Sequence, residues 1–243
     1  MTTVCDLLAV AMEKGWHLHQ MDIKNAILQG EVEERVYKVQ PPRFQSGLNM
    51  LVVCRLKKFL HGLKQAPRAW FVMITQPLHR MGFVTSKLDS WLFIWQDLNG
   101  PISLLLFVDD LVIAGANLEE IGCVQSQLAA SFHMKDLGDL HYFLGIEVIH
   151  TPEGILISQH HYMLSMLFKF GMADCKSVST PLDRTVKLRP DSEKVCDPTM
   201  FRKIVGSLIY LTITRPDLNY PVEVISQFMA RPTEEHLQCA QRV

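Results

Sequence analysis

Residues 102–116 read ISLLLFVDDLVIAGA, the longest apolar stretch of the chain, and Asp109 and Asp110 stand in its middle. Two carboxylates there would each cost about 2.5–3.5 kcal/mol at the centre of a bilayer, so the stretch is no membrane span. Leaving them unpaired in a protein core is also expensive. A β-hairpin meets both demands, because the two apolar runs become buried strands and the acidic pair lies at the tip. A chain carrying such a hairpin needs further strands and helices to cover it.

The acidic pair has two readings. Asp favours turns on its own account, so a plain turn is one. The other is a divalent metal site, since neighbouring carboxylates raise each other's pKa unless a cation neutralises them. Magnesium is such a cation, commonly held by one or two carboxylates together with substrate phosphates. Asp22 ends the alternating string HLHQMD and could join the pair if the two strands were neighbours in one sheet. Three carboxylates could then hold two metals about 3.5–4 Å apart, the arrangement that serves in-line phosphoryl displacement. Sequence spacing does not establish that proximity.

The chain has 243 residues, 48% hydrophobic and 20% charged, which are globular proportions. Six scattered cysteines without a CxxC pair read as free thiols. No secretory signal pattern opens the sequence, and the expected setting is intracellular, cytoplasmic or nuclear, without membrane contact. The net charge of -1 hides an asymmetry. Residues 35–88 hold ten basic side chains and no acidic one, while the remainder carries 14 basic against 25 acidic. Such a block reads either as a surface that meets phosphates or as a solvated face whose acidic partners come from elsewhere in the fold.

Periodicity predicts a helix over 2–14 stopped by Gly15, then strands over 17–22, 36–39, 51–56 and 91–95. Pro67 suits the first turn of a helix running toward Met81, and Pro77 is expected to kink or break it. Asn117, with Glu120 three residues on, predicts a capped helix to Phe132. Strands follow over 142–149 and 155–157, then a helix capped by Ser158 and ending near Gly171. Residues 175–198 read as a linker, followed by helices over 198–212, 222–230 and from Thr233 onward. This order predicts an α+β protein with a helical C-terminal part.

Six strings occur in order: HQMDIKNAILQGEVEERVY, CRLKKFLHGLKQAPRAWF, LLLFVDDLVIAG, MKDLGDLHYFLGIEV, GMADCKSVSTPL and VGSLIYLTITRPDLNY. Together they resemble the reverse transcriptase of copia-type LTR retrotransposons along essentially the whole chain. The resemblance implies a right-hand polymerase: a palm of antiparallel sheet with helices packed on one face, followed by a mainly helical thumb and connection region. It divides the chain into palm with partial fingers over 1–157, containing the basic block, and thumb with connection over 158–243. It also implies a piece of a longer polyprotein, lacking part of the fingers and the RNase H domain.

The same resemblance implies RNA-directed DNA synthesis on an RNA or DNA template-primer with deoxynucleoside triphosphates. Asp22, Asp109 and Asp110 match the catalytic aspartates that bind two Mg²⁺ ions, and Ile23 lends a backbone carbonyl to a metal. Ile27, Gly62, Lys64, Gln65, Pro67 and Lys135 fall in motifs around the incoming nucleotide and its pyrophosphate. Arg55, Lys57, Lys58 and Arg68 face nucleic acid, and Tyr142 belongs to the hairpin that grips the primer. Ile27 replaces a bulky aromatic that blocks a 2′-hydroxyl, His61 replaces a Tyr, and Phe107 stands where Tyr is usual. The alternative to an active enzyme is a non-catalytic remnant that keeps the fold and binds nucleic acid. His17 with His19, and His160 with His161, have no acidic or cysteine partner at zinc spacing and read as ordinary surface or hydrogen-bonded histidines.

Overall fold

The computed structural model describes the chain apart from Glu31, Glu33, residues 45–51, His61, residues 98–99, 183–187 and 190–194. The expected substitution at His61 and parts of the expected 51–56 strand and 175–198 linker therefore lie outside the described residues. The chain divides into two compact units, Met1–Leu140 and His141–Val243. The division falls ahead of the boundary expected at residue 157, because the hairpin strands after Leu140 belong to the second unit.

The first unit begins with helix α1 (Thr2–Lys14), which buries Val4, Leu7, Leu8 and Ala11 along one stripe. Gly15 ends it at φ 63°, a left-handed conformation that only glycine adopts without a Cβ penalty. A six-stranded antiparallel sheet follows, in the order β4-β5-β6-β7-β1-β8. Its strands are β1 (His17–Ile23), β4 (Val84–Thr85), β5 (Leu92–Asp97), β6 (Gly100–Phe107), β7 (Asp110–Gly115) and β8 (Met134–Asp139). Helix α2 (Ala26–Gln29) follows β1, and β2 (Tyr37–Val39) pairs with β3 (Val53–Arg55) as a separate two-stranded ribbon.

Alternation along β1, β6 and β7 directs Met21, Ile23, Ile102, Leu104, Leu106, Leu111 and Ile113 to one face of the sheet. Helix α3 (Ala66–Arg80) meets them with Trp70, Ile74 and Leu78, and helix α4 (Leu118–Ser131) with Ile121, Val124 and Leu128. On the other face Leu18, Leu105, Val112 and Ala114 are also buried, and α1 packs against β7. Helices thus cover parts of both faces, which corrects the expectation of helices on one face only. The cause is the amphipathic stripe of α1, which can be buried only on the face that α3 and α4 leave free.

Pro77 does not break α3, which continues to Arg80. The proline falls in the last turn, so the ladder forfeits only the bond to the Met73 carbonyl four residues back, and the Met81 amide still reaches the Pro77 carbonyl at 3.0 Å. Strand β8 has no counterpart among the expected elements. Its sequence MKDLGD is polar because it is an edge strand, largely exposed.

The second unit carries a three-stranded sheet of β9 (Tyr142–Phe143), β10 (Ile146–Thr151) and β11 (Gly154–Ser158), in the order β11-β10-β9. The single strand expected over 142–149 is therefore two, reversed at Leu144 and Gly145, both at positive φ as a two-residue hairpin turn requires. Helices α5 (His160–Lys169), α6 (Pro198–Leu211), α7 (Asn219–Ser226) and α8 (Glu234–Arg242) complete the unit. Their core is Phe201, Ile204, Val205, Leu208, Leu211, Val222, Ile225 and Ala240. Helix α7 starts and ends earlier than the expected 222–230, since Pro216–Leu218 form a 3₁₀ turn that leads into it. No helix among the described residues is long and apolar enough to cross a membrane.

Leu106→Ala, at the centre of the sheet, is expected to destabilise by about 2–5 kcal/mol. Leu88→Ala, at a side chain 98% exposed, should stay within about 0.5 kcal/mol. Urea unfolding of the two variants checks the assignment of core and surface.

Candidate active site at the tip of a buried hairpin

The strand register brings distant residues abreast. Asp22 on β1 pairs directly with Asp110 on β7, and on its other side with Lys135 on β8. Asp110 in turn pairs with Phe107 on β6. Directly opposed residues share a face in an antiparallel sheet, with Cα atoms about 4.5–5.5 Å apart. Phe107, Asp110, Asp22 and Lys135 therefore form one row across four strands. The row lies on the face opposite α3 and α4, where Asp22 and Asp110 are half-buried and Phe107 and Lys135 are exposed.

Asp109 occupies the two-residue turn of this hairpin with Val108. Val108 has φ 54°, an outlier for a β-branched residue that costs of order 1–3 kcal/mol and persists only where surroundings enforce it. The surroundings do so from two directions. The Trp70 indole Nε1 donates to the Val108 carbonyl at 2.7 Å, and the Ile23 amide donates to the Asp109 carbonyl at 2.7 Å. The acidic tip is thus fastened both to α3 and to the end of β1.

Asp110 also accepts a hydrogen bond from the buried Gln20 amide, Nε2 to Oδ1 3.3 Å. Burial pushes the Asp110 carboxyl above its ordinary value of 3.8; the Gln20 bond opposes this, while the charges of Asp109 and Asp22 add to the rise. Among the described residues, no group of three or more His, Cys, Asp or Glu side chains is arranged to hold a metal ion. The donor set nevertheless has the chemistry a hard cation takes, namely carboxylate oxygens with backbone carbonyls alongside.

The other expected site residues fall in separate places. Ile27 is on α2, whose first residue follows Asn25 at φ 53°. Gly62, Lys64 and Gln65 form the loop into α3, Pro67 lies in its first turn, and Arg68 is exposed beside it. Gln65 Nε2 donates to Glu34 Oε2 at 3.0 Å across a cavity of about 730 Å³ that Phe59, Arg68 and Met73 also line. Arg55 is on β3, with Lys57 and Lys58 exposed just beyond it. Tyr142 is half-exposed on β9 of the second unit. The structure therefore unites Asp22, Ile23, Asp109, Asp110 and Lys135, and leaves the remaining residues in the α3 entry loop, the ribbon and the second unit.

Residues 1–184 match the family described as reverse transcriptase (RNA-dependent DNA polymerase). The chain belongs to the reverse transcriptase family. This reverse transcriptase domain is of the copia type found in retrotransposon Pol polyproteins. It is 43% identical over 243 residues to the retrovirus-related Pol polyprotein from transposon RE1 of Arabidopsis thaliana, covering 100% of this chain and 17% of that protein. It is 35% identical over 250 residues to the corresponding polyprotein from transposon TNT 1-94 of Nicotiana tabacum, covering 97% and 19%. It is 33% identical over 226 residues to the putative transposon Ty5-1 protein of Saccharomyces cerevisiae, covering 92% and 73%. The reverse transcriptase domain thus spans under a fifth of the two Pol relatives' length.

Three residues important to the tip were not singled out for it by sequence. Trp70 reads as core, and it is core, but its indole N–H needs an acceptor and finds the turn. Gln20 had a usable signal, as a polar side chain two residues before Asp22 on an alternating strand. Val108 had none, because turn strain follows from the register of the flanking strands.

Two outcomes follow. Trp70→Phe removes the donor to a strained turn and is expected to destabilise by about 1–3 kcal/mol, whereas Val108→Gly, which relieves the positive φ, should not destabilise; denaturant midpoints decide. Because its folded pKa is raised, Asp110 favours the folded state fully only when protonated, and that contribution is lost as pH rises through the folded value. Asp110→Asn should accordingly unfold at a higher temperature than wild type near pH 7, the difference shrinking as the pH falls below the ordinary carboxylate range. A constant difference would contradict the assigned cause.

Proposed function

We propose that this domain is the RNA-directed DNA polymerase part of its polyprotein, adding deoxynucleotides to a primer 3′-hydroxyl. The observation that carries the reading is the pairing of Asp22 with Asp110. In this reading the six-stranded sheet with α3 and α4 is the palm, and the acid-free block over 35–88 contributes partial fingers. The helices over 158–243 form thumb and connection, and the hairpin beginning at Tyr142 grips the primer.

Asp22, Asp109 and Asp110, with the Ile23 carbonyl, would hold two Mg²⁺ ions. When bound, such ions neutralise phosphate charge and activate the attacking hydroxyl. The chain's own residues do the rest. Gln20 orients the Asp110 carboxylate, and the Trp70 and Ile23 bonds fix the tip that carries Asp109. Lys135, abreast of Asp22, offers a cation to the departing pyrophosphate. Gly62, Lys64, Gln65 and Pro67 back the incoming nucleotide, and Ile27 leaves more room at its sugar than an aromatic ring would. Arg55, Lys57, Lys58 and Arg68 neutralise backbone phosphates of the template.

A second reading is a remnant that keeps the fold and binds nucleic acid without catalysis; Ile27, standing where the family has a bulky aromatic, favours it. Primer extension separates the two. With a primed RNA template, deoxynucleotides and Mg²⁺, wild type should extend, while Asp22→Asn and Asp109→Ala fall by at least about 100-fold with template binding retained. Salt-sensitive template binding without extension by wild type would establish the remnant instead.

A further inference from the structure

The turn between β9 and β10 is held in a conformation that its own sequence resists. Leu144 has φ 50° and Gly145 φ 77°, both positive, as a type I′ turn requires. Glycine meets that demand freely, whereas a bulky leucine carries a Cβ penalty at such an angle. Asn-Gly is the pair that forms this turn unaided, and Leu-Gly is not. The β9 arm, only Tyr142 and Phe143, adds little pairing to enforce it. A contact from outside the hairpin supplies what the turn lacks. The Tyr210 hydroxyl, near the end of α6, donates to the Leu144 carbonyl.

The surroundings make this contact specific. The Tyr210 ring lies over Gly145, where a Cβ would stand 3.1 Å from the hydroxyl and 3.4 Å from Cε1, so a side chain there would push the tyrosine away. Tyr162 meets the ring edge-on, centroids 4.9 Å apart, and itself donates to the Ser207 carbonyl at 3.3 Å. Leu208 and Leu211, buried on α6, fix the rotation of the helix that carries Tyr210. Burial pushes the Tyr210 phenol above its ordinary value of 10, and the Tyr162 and Tyr142 groups add to the rise, so the hydroxyl stays a donor at neutral pH. Along β10, Glu147 accepts from the His161 amide at 2.8 Å. The hairpin is thus fastened to α6 at its turn and to α5 along its second strand.

We infer that Tyr210 is a positioning residue for polymerisation: by holding the Leu144 carbonyl, its hydroxyl sets the shape of the turn with which the β9–β10 hairpin meets the primer end. Tyr210 acts through the turn and not on the reacting atoms. The inference rests on the polymerase reading, which gives this hairpin the primer.

Tyr210→Phe keeps the ring and removes only the donor. In the full chain, hydrogen–deuterium exchange over residues 142–151 is expected to quicken by about five- to 100-fold, as for a buried carbonyl left without its donor, while α7 and α8 keep wild-type rates. On a primed RNA template with deoxynucleotides and Mg²⁺, the extension rate per burst-titrated active site should fall by about 10- to 100-fold, the scale of a small misplacement of reacting groups. Template–primer affinity, read by fluorescence anisotropy, should match wild type. A role confined to stability would instead lower the burst amplitude and leave the rate per site intact. Leu144→Asn gives the turn the pair that forms it unaided, so in that background Tyr210→Phe should cost less than about threefold in exchange and in rate. Wild-type exchange over 142–151 in Tyr210→Phe, a loss of burst amplitude alone, or an equal cost in the Leu144→Asn background would overturn the inference. Extension by Tyr210→Phe at the wild-type rate removes the positioning role and leaves the polymerase reading standing. No extension by wild type removes the polymerase reading and the positioning role together.

Discussion

The antiparallel pairing of β1 with β7 is the constraint from which the site follows. Side chains alternate across a sheet, so a slip of one residue would turn Asp22 into the core and expose Met21 and Ile23. The core forbids that slip. Met21, Ile23, Leu111 and Ile113 are buried beneath α3 and α4, and their burial fixes which residue of β1 stands opposite Asp110. The bond from the Ile23 amide to the Asp109 carbonyl locks the same register at its open end. The hydrophobic effect, which is indifferent to chemistry, thereby sets the spacing of the acidic row.

The tip itself is held against local preference. A valine at positive φ and an Asp110 carboxyl whose pKa is raised by burial and by the neighbouring Asp109 and Asp22 charges are both unfavourable. The offsetting contacts come from elements far away in sequence: Trp70 from α3 to the turn carbonyl, and Gln20 from β1 to the Asp110 carboxylate. A site whose charges are not balanced within the protein is poised for charged ligands.

Much of this was legible in the sequence. The hairpin of β6 and β7 followed from two apolar runs around an acidic pair, and α1, α4 and α6 followed from periodicity and caps. Elements whose signals are weak were not legible. Strand β8 is polar because one side of it meets solvent, so neither alternation nor hydrophobicity marks it, although it delivers Lys135 to Asp22. In the sequence the reversal at Leu144 and Gly145 looks like continuous strand, because a two-residue turn leaves the flanking alternation nearly intact. Pro77 carries the sequence signal of a kink or break, yet a proline in a final turn removes a single ladder bond and the helix continues.

The sequence by itself determined which residues are acidic, which runs must be buried, and where the charge is segregated, since these are properties of side chains and their near neighbours. It could not bring Asp22 to Asp110 across 87 intervening residues, or place Lys135 beside them. Those juxtapositions depend on strand order and register. Both are decided by which pairing buries the most apolar surface over the whole unit, a comparison that no local stretch of chain contains.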